Sequence, residues 1–180
     1  AVFGVYFKLQ SFIFMPIFGL NNGLVPIVSF NYGARHRERM ERAVRLAYIT
    51  AEVIMIIGLA IFQLVPDKLL FLFGGSADML SIGVPALRII STSFLFAGIA
   101  IVSSSVCQAL GRGMYSLAVS FGRQIVVLVP AAFLLSRLGQ LNLVWLAFPI
   151  AEVASIILAL FFVRRTIRHL DWTRRTEETA

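Results

Sequence analysis

Residues Leu141–Val163 read LNLVWLAFPIAEVASIILALFFV. One charged side chain, Glu152, interrupts this otherwise uncharged run. About 20 apolar residues at 1.5 Å rise per residue cross about 30 Å of hydrocarbon as a helix. Barrel strands alternate apolar and polar residues with period two over about ten positions. This run is apolar on nearly every face, so it predicts a membrane-spanning helix.

Four further stretches read the same way: Val2–Phe30, Val44–Val65, Ile82–Leu110 and Met114–Leu135. The composition agrees. The 180 residues are 59% hydrophobic and only 14% charged, with a mean hydropathy of +0.88. Soluble domains run about 45–50% apolar and about 25% charged. These values exclude a soluble α/β enzyme, a disordered tail, a nucleic-acid module and a disulfide scaffold. The expected fold is all-α, a polytopic bundle of about five transmembrane helices over residues 1–163, followed by a basic tail over 164–180.

The joints carry helix-stop residues. Asn31 and Gly33 close the first span, Gly74-Gly75 break the chain after the second, Gly111-Arg112-Gly113 end the third and Gly139 turns the fourth into the fifth. Glycine permits the left-handed conformation that closes a helix. Internal prolines at 16, 26, 85, 130 and 149 suit membrane helices, where kinks are tolerated. The lone cysteine, Cys107, reads as a small packed apolar residue. The opening Ala1-Val2-Phe3-Gly4 has neither Met nor a signal pattern, and predicts that the chain begins inside a longer protein.

The net charge of +7 is asymmetric along the chain. Arg35, Arg37, Arg39, Arg42 and Arg45 follow the first span, Arg112 follows the third, and Arg164, Arg165, Arg168, Arg174 and Arg175 follow the fifth. Only Lys68 and Arg137 fall in the alternate joints. An eleven-to-two bias places the arginine-rich side and the C-terminus in the cytoplasm. The tail reads as a solvated or lipid-headgroup-contacting end. Trp145, Tyr115 and Tyr32 read as interface anchors.

No catalytic constellation, Cys/His metal spacing or phosphate-binding loop is present, so an enzyme, a cofactor and nucleic-acid partners are not expected. His36 and His169 read as surface side chains among arginines. The informative residues are polar ones inside spans, which are costly in lipid unless they pair or line a cavity. On the first span Gln10, Asn21 and Asn31 share one face, with Ser11, Asn22 and Ser29 beside it. They serve interhelical hydrogen bonding, a cavity wall, or both. On the third span Arg88, Ser91, Gly98 and Ser105 share a face, with Ala97, Ser104 and Gln108 alongside. Small residues there suit close packing or an aqueous path.

Two carboxylates lie within spans. Glu52 is about 12 Å from the arginine-rich end of its helix, and Glu152 is about 18 Å deep. A carboxylate taken out of water is more easily protonated, so such a residue is either a coupling site or half of an ion pair. Arg123 lies fifteen residues before Leu138 and Glu152 fourteen after it. An antiparallel hairpin places them at one depth, which predicts that they pair. The same count about Arg37 sets Glu52 at the level of Asn22.

The run Gly19-Leu20-Asn21-Asn22-Gly23-Leu24-Val25-Pro26 through Asn31-Tyr32-Gly33-Ala34-Arg35 resembles the C-terminal half of MATE (multidrug and toxic compound extrusion) transporters. Cys107-Gln108-Ala109-Leu110-Gly111-Arg112, Gly122-Arg123-Gln124 with Pro130, and Trp145 with Pro149-Ile150-Ala151-Glu152 resemble its later motifs in the same order. The resemblance implies helices eight to twelve of a twelve-helix, two-lobed antiporter in the plasma (inner) membrane. Such proteins exchange H+ or Na+ for cationic amphipathic drugs. The family's C-lobe sodium site uses acids on helices seven and ten, and the stretch 82–110 holds none. Coupling in this lobe would then fall to Glu152 or Glu52, and the partners are the bilayer, the drug and an N-terminal lobe. Two alternatives stand beside it: a flippase for lipid-linked oligosaccharides of the same superfamily, for which Arg88 and Arg123 would supply cations, and a non-transporting membrane scaffold.

Overall fold

A computed structural model of the chain describes residues 2–74, 77–137, 139 and 141–170. Among the described residues the chain is helical with no strand. The helices are α1 (Val2–Gly33), α2 (Arg37–Leu64), α3 (Pro66–Leu72), α4 (Ala77–Ser91), α5 (Phe94–Ala109), α6 (Gly113–Phe121), α7 (Val129–Ser136), α8 (Leu141–Trp145) and α9 (Ala147–Arg168). A π-helical segment, Gly122–Leu128, joins α6 to α7. Four continuous helical stretches are long and apolar enough to cross a bilayer, and α4 with α5 makes a fifth that is bent by 48°.

The core forms around α5, which packs against α1, α2, α6 and α9. Its small residues permit this: Ala97, Ala100, Ser103 and Cys107 are buried, and helices approach closely where side chains are short. Phe94 closes the top of the core, edge-on to both Phe14 and Phe62. On α2 the buried residues Met40, Ala47, Ala51, Met55, Gly58 and Phe62 follow the helical period and face inward. The contact with α1 is tight: a Cβ on Gly58 would lie 2.5 Å from a methyl of Ile13. The opposite faces carry exposed Ile49, Val53, Ile56 and Ile57, for which lipid is the fitting solvent.

Three boundaries differ from the sequence reading. The helix α2 begins at Arg37, two turns before Val44, so Arg37 to Arg45 lie on a helix and not in a loop. Good helix formers and the i,i+4 pair from Arg37 Nε to Glu41 Oε1 at 2.7 Å account for the extension. The first span ends on a left-handed residue, but that residue is Arg35 (φ 60°), with Gly33 still helical. The His36 N–H to Asn31 carbonyl bond (2.8 Å) and the Arg35 N–H to Tyr32 carbonyl bond (3.0 Å) complete a Schellman closure. The last span runs on through Arg168, so Arg164, Arg165 and Arg168 belong to α9. The rest of the expected tail, from residue 171, lies outside the described residues, as do the Gly75 side of the second break and Leu138.

The break between α4 and α5 corrects the expectation of one continuous helix over 82–110. The cause is the run Ser91-Thr92-Ser93. Each hydroxyl donates to the carbonyl three residues back: Ser91 to Arg88 (3.0 Å), Thr92 to Ile89 (2.6 Å) and Ser93 to Ile90 (2.6 Å). Hydroxyls that compete for helix carbonyls bend the helix. Gln63 of α2 then donates to the freed Arg88 carbonyl (2.8 Å) and to Ser91 Oγ (3.0 Å). The π-helical segment has a similar local cause. Pro130 cannot donate a backbone hydrogen bond and its ring crowds the preceding turn. The widened turn ends immediately before it, with the Val129 N–H reaching the Gln124 carbonyl.

Candidate functional site

The polar stripe of α1 faces α5 across a cleft of about 760 Å³. Gln10, Ser11, Asn21 and Asn22 form one wall, Ser104, Ser105 and Gln108 the other, and Ser120, Arg123 and Ser155 the floor. Phe7, Phe14, Met15 and Phe18 add apolar and aromatic surface. A second cavity of about 360 Å³ lies beside it and holds Tyr6, Phe148, Ser93 and Glu152. Phe7, Gln10 and Arg123 line both.

Arg123 Nη1 donates to Glu152 Oε1 at 2.5 Å. The carboxylate side chain is 11% exposed and the guanidinium side chain 36%. The pair thus stands at the junction of the two cavities, carried by the π-helical segment and α9. The second oxygen, Glu152 Oε2, is buried with no hydrogen-bond partner among the described residues, and so is Asn21 Oδ1. Glu52 Oε1 and Trp145 Nε1 are likewise buried without a partner among the described residues, and such groups cost about 1–3 kcal/mol each.

The remaining candidates divide. Ser105 donates to the Ile101 carbonyl at 3.1 Å and Gln108 donates to Ser116 at 3.1 Å; both still line the cleft. The lower end of the α1 stripe is structural: Ser29 donates to the Ala109 carbonyl at 2.8 Å and Asn31 to the Ile27 carbonyl at 2.8 Å. Ser91 is fully buried, held by Gln63 at the helix break and away from the cleft. Arg88 is exposed on α4, outside both cavities. The Glu52 carboxylate lies over Gly98 of α5, where an added Cβ would sit 2.7 Å from Oε1.

Trp145 is a second correction. It is buried, with its ring 5.3 Å from that of Phe3, in a cluster with Tyr6, Phe7 and Phe148 that walls the smaller cavity. It anchors the core, not the interface. Sequence reading missed Gln63, Tyr6 and Tyr48, whose hydroxyl shares a 2.7 Å hydrogen bond with Ser103. Gln63 was findable, since it interrupts an apolar run just as Gln10 does; its place near a span end made it look like a boundary.

Chemically, the cleft offers amide and hydroxyl dipoles and aromatic faces, a set suited to holding an amphipathic compound, and the adjoining cavity holds the Glu152 carboxylate. Among the described residues no group of three or more His, Cys, Asp or Glu is placed to hold a metal.

The profile of the MatE family matches residues 1–134. The multidrug export protein MepA of Staphylococcus haemolyticus is 26% identical over 164 residues, covering 91% of this chain and 36% of its own. MepA of Staphylococcus saprophyticus is 27% identical over the same shares. The solved structure of the MATE multidrug transporter DinF-BH superposes with a TM-score of 0.82 at 34% identity, over 91% of this chain and 37% of its own. An inward-facing MATE family transporter of the MOP superfamily shares the fold at TM-score 0.87 and 23% identity, over 97% of this chain and 41% of its own. The chain thus spans little more than a third of the length of the MepA relatives.

Proposed function

Since the chain belongs to the MatE family, we propose that it forms part of a secondary active exporter for cationic, amphipathic compounds. Export is driven by exchange for H+ or Na+ as two lobes alternate between inward and outward openings. This chain supplies most of one lobe, in the plasma membrane with its C-terminus cytoplasmic, and an N-terminal lobe supplies the facing wall. The observation that carries the reading is the cleft of about 760 Å³ between α1 and α5, polar along one stripe and aromatic beside it. MepA and DinF-BH are named as multidrug proteins, which supports the choice of cargo.

Glu152 and Glu52 are the candidate coupling groups. Glu152 opens onto the smaller cavity and has one uncommitted oxygen, so a proton or a cation can compete with Arg123 for it. The flippase reading relied on Arg88 and Arg123 as free cations. Arg123 is bonded to Glu152, and Arg88 lies outside the cleft. Neither that reading nor the scaffold reading has an observation in its favour.

The test is ethidium accumulation in cells that carry or lack the complete gene product. The expected result is lower accumulation in carriers, lost when the ion gradient is collapsed. Equal accumulation together with altered surface glycolipid would overturn the drug reading in favour of the flippase. Imposed H+ and Na+ gradients in liposomes then separate the two coupling ions.

A further inference from the structure

At the arginine-rich end of the bundle, α5, α6 and α9 enclose a polar pocket of about 230 Å³ that is separate from the cleft. Arg112, Tyr115, Arg165, Thr166 and His169 line it. Its walls are fixed. Gly111 (φ 75°) lets α5 close with the Arg112 N–H on the Cys107 carbonyl at 2.8 Å, which sets where Arg112 leaves the helix. The Tyr115 ring stacks on Phe162 of α9 at 4.6 Å, and the Arg112 guanidinium lies 6.0 Å from the centre of the same ring. Thr166 is buried beside Cys107.

The pocket gathers two guanidiniums, an imidazole and two hydroxyls. The ion pairs among the described residues are Arg37–Glu41 and Arg123–Glu152, so no described carboxylate neutralises Arg112 or Arg165. Like charges held in one concavity repel, and an anion with several acceptor oxygens relieves that repulsion. One face of α9 carries both Arg165 and His169. It continues along α9 past Arg164 and Arg168 to Phe161 and Ile157, which are 55% and 63% exposed. Cations at one end and an exposed apolar track at the other match an amphipathic anion lying along the helix.

We infer that Arg112, Arg165 and His169 form a binding site for the phosphate of an anionic membrane lipid, with an acyl chain running along Phe161 and Ile157. A phosphodiester accepts from both guanidiniums in the bidentate manner that arginine favours. A lipid bound there would clamp the start of α6, which leads into the π-helical segment carrying Arg123, to the end of α9, which carries Glu152. The inference does not depend on what the protein exports.

The experiment measures lipid retained on the purified full-length protein by native mass spectrometry, with phosphatidylglycerol and phosphatidylcholine as probes. The unaltered protein should prefer phosphatidylglycerol. Arg112→Gln/Arg165→Gln should lower that preference about tenfold or more and leave phosphatidylcholine retention unchanged, which also reports an intact fold. Arg39→Gln/Arg42→Gln, which removes the same charge from exposed positions on α2, should keep the preference. If the pocket variant does not purify, Arg165→Gln/His169→Gln carries the same test. The proposal is overturned if the preference survives in the pocket variant or falls equally in the α2 variant. It is also overturned if inorganic phosphate displaces the lipid at equal concentration.

Discussion

Arg123 and Glu152 hold each other's charge, the carboxylate largely buried and the guanidinium about one-third exposed. Removing Arg123 leaves the buried carboxylate uncompensated, at a cost on the order of 2–5 kcal/mol. Arg123→Gln should therefore lower the thermal unfolding temperature. Arg123→Glu with Glu152→Arg should recover most of the loss, because the pair is re-formed in reverse. A double variant no more stable than either single change would remove the pair from the account. Glu52 gives a second prediction. Gly98→Ala forces a methyl against Glu52 Oε1 and to 3.0 Å from Met55 Cγ. Overpacking of this kind costs about 1–3 kcal/mol. In a Glu52→Ala background the cost should shrink, since one of the two obstructing groups is gone. Unequal legibility follows from these residues. Arg123 and Glu152 could be matched from sequence because one short turn sets their register. Glu52 could not, because its partner Gly98 lies on a helix whose packing depends on several side chains at once.

The elements depart from straight helices where polar backbone chemistry intervenes. The α4–α5 bend rests on three hydroxyls and on Gln63, which supplies a donor to the Arg88 carbonyl from a neighbouring helix. Gln63→Leu keeps the bulk and removes the donor. It should destabilise the fold by about 1–3 kcal/mol, read by thermal unfolding in detergent. Gln63→Glu should fail as well, since an ionised carboxylate only accepts. A Gln63→Leu protein as stable as its parent would mean that the hydroxyls alone fix the bend. The five apolar runs were legible because lipid demands length and uniform apolarity. The bend was not, because a hydropathy window averages over Ser91-Thr92-Ser93. The early start of α2 was hidden for the same reason: its first turns are charged and helical together, and apolar periodicity says nothing there.

At the scale of the molecule, the described spans form a bundle whose outer faces are apolar and whose inner seam, between α1 and α5, is polar. The MatE fold was legible from ordered motifs, whereas the division of the α1 stripe into a cleft wall above and side chains bonded to helix carbonyls below needed coordinates. Sidedness is open to direct test. Cysteines placed at Arg39 and Arg168 should react with an impermeant thiol reagent from one side of the membrane, and a cysteine at Gly139 from the other. All three reacting from one side would refute the eleven-to-two argument.

The account stands on the cleft taking the exported cation. Ser104 lines it, and the native Cys107 is buried, so a Ser104→Cys variant of the full-length protein gives a local probe. Its labelling by a thiol reagent, followed with and without ethidium, is the measurement to make. Ethidium should slow labelling at position 104 several-fold, and leave unchanged the labelling of Phe161→Cys on the outer face of α9. Equal rates at position 104 with and without ethidium, in a variant that still exports it, would place the transport path elsewhere.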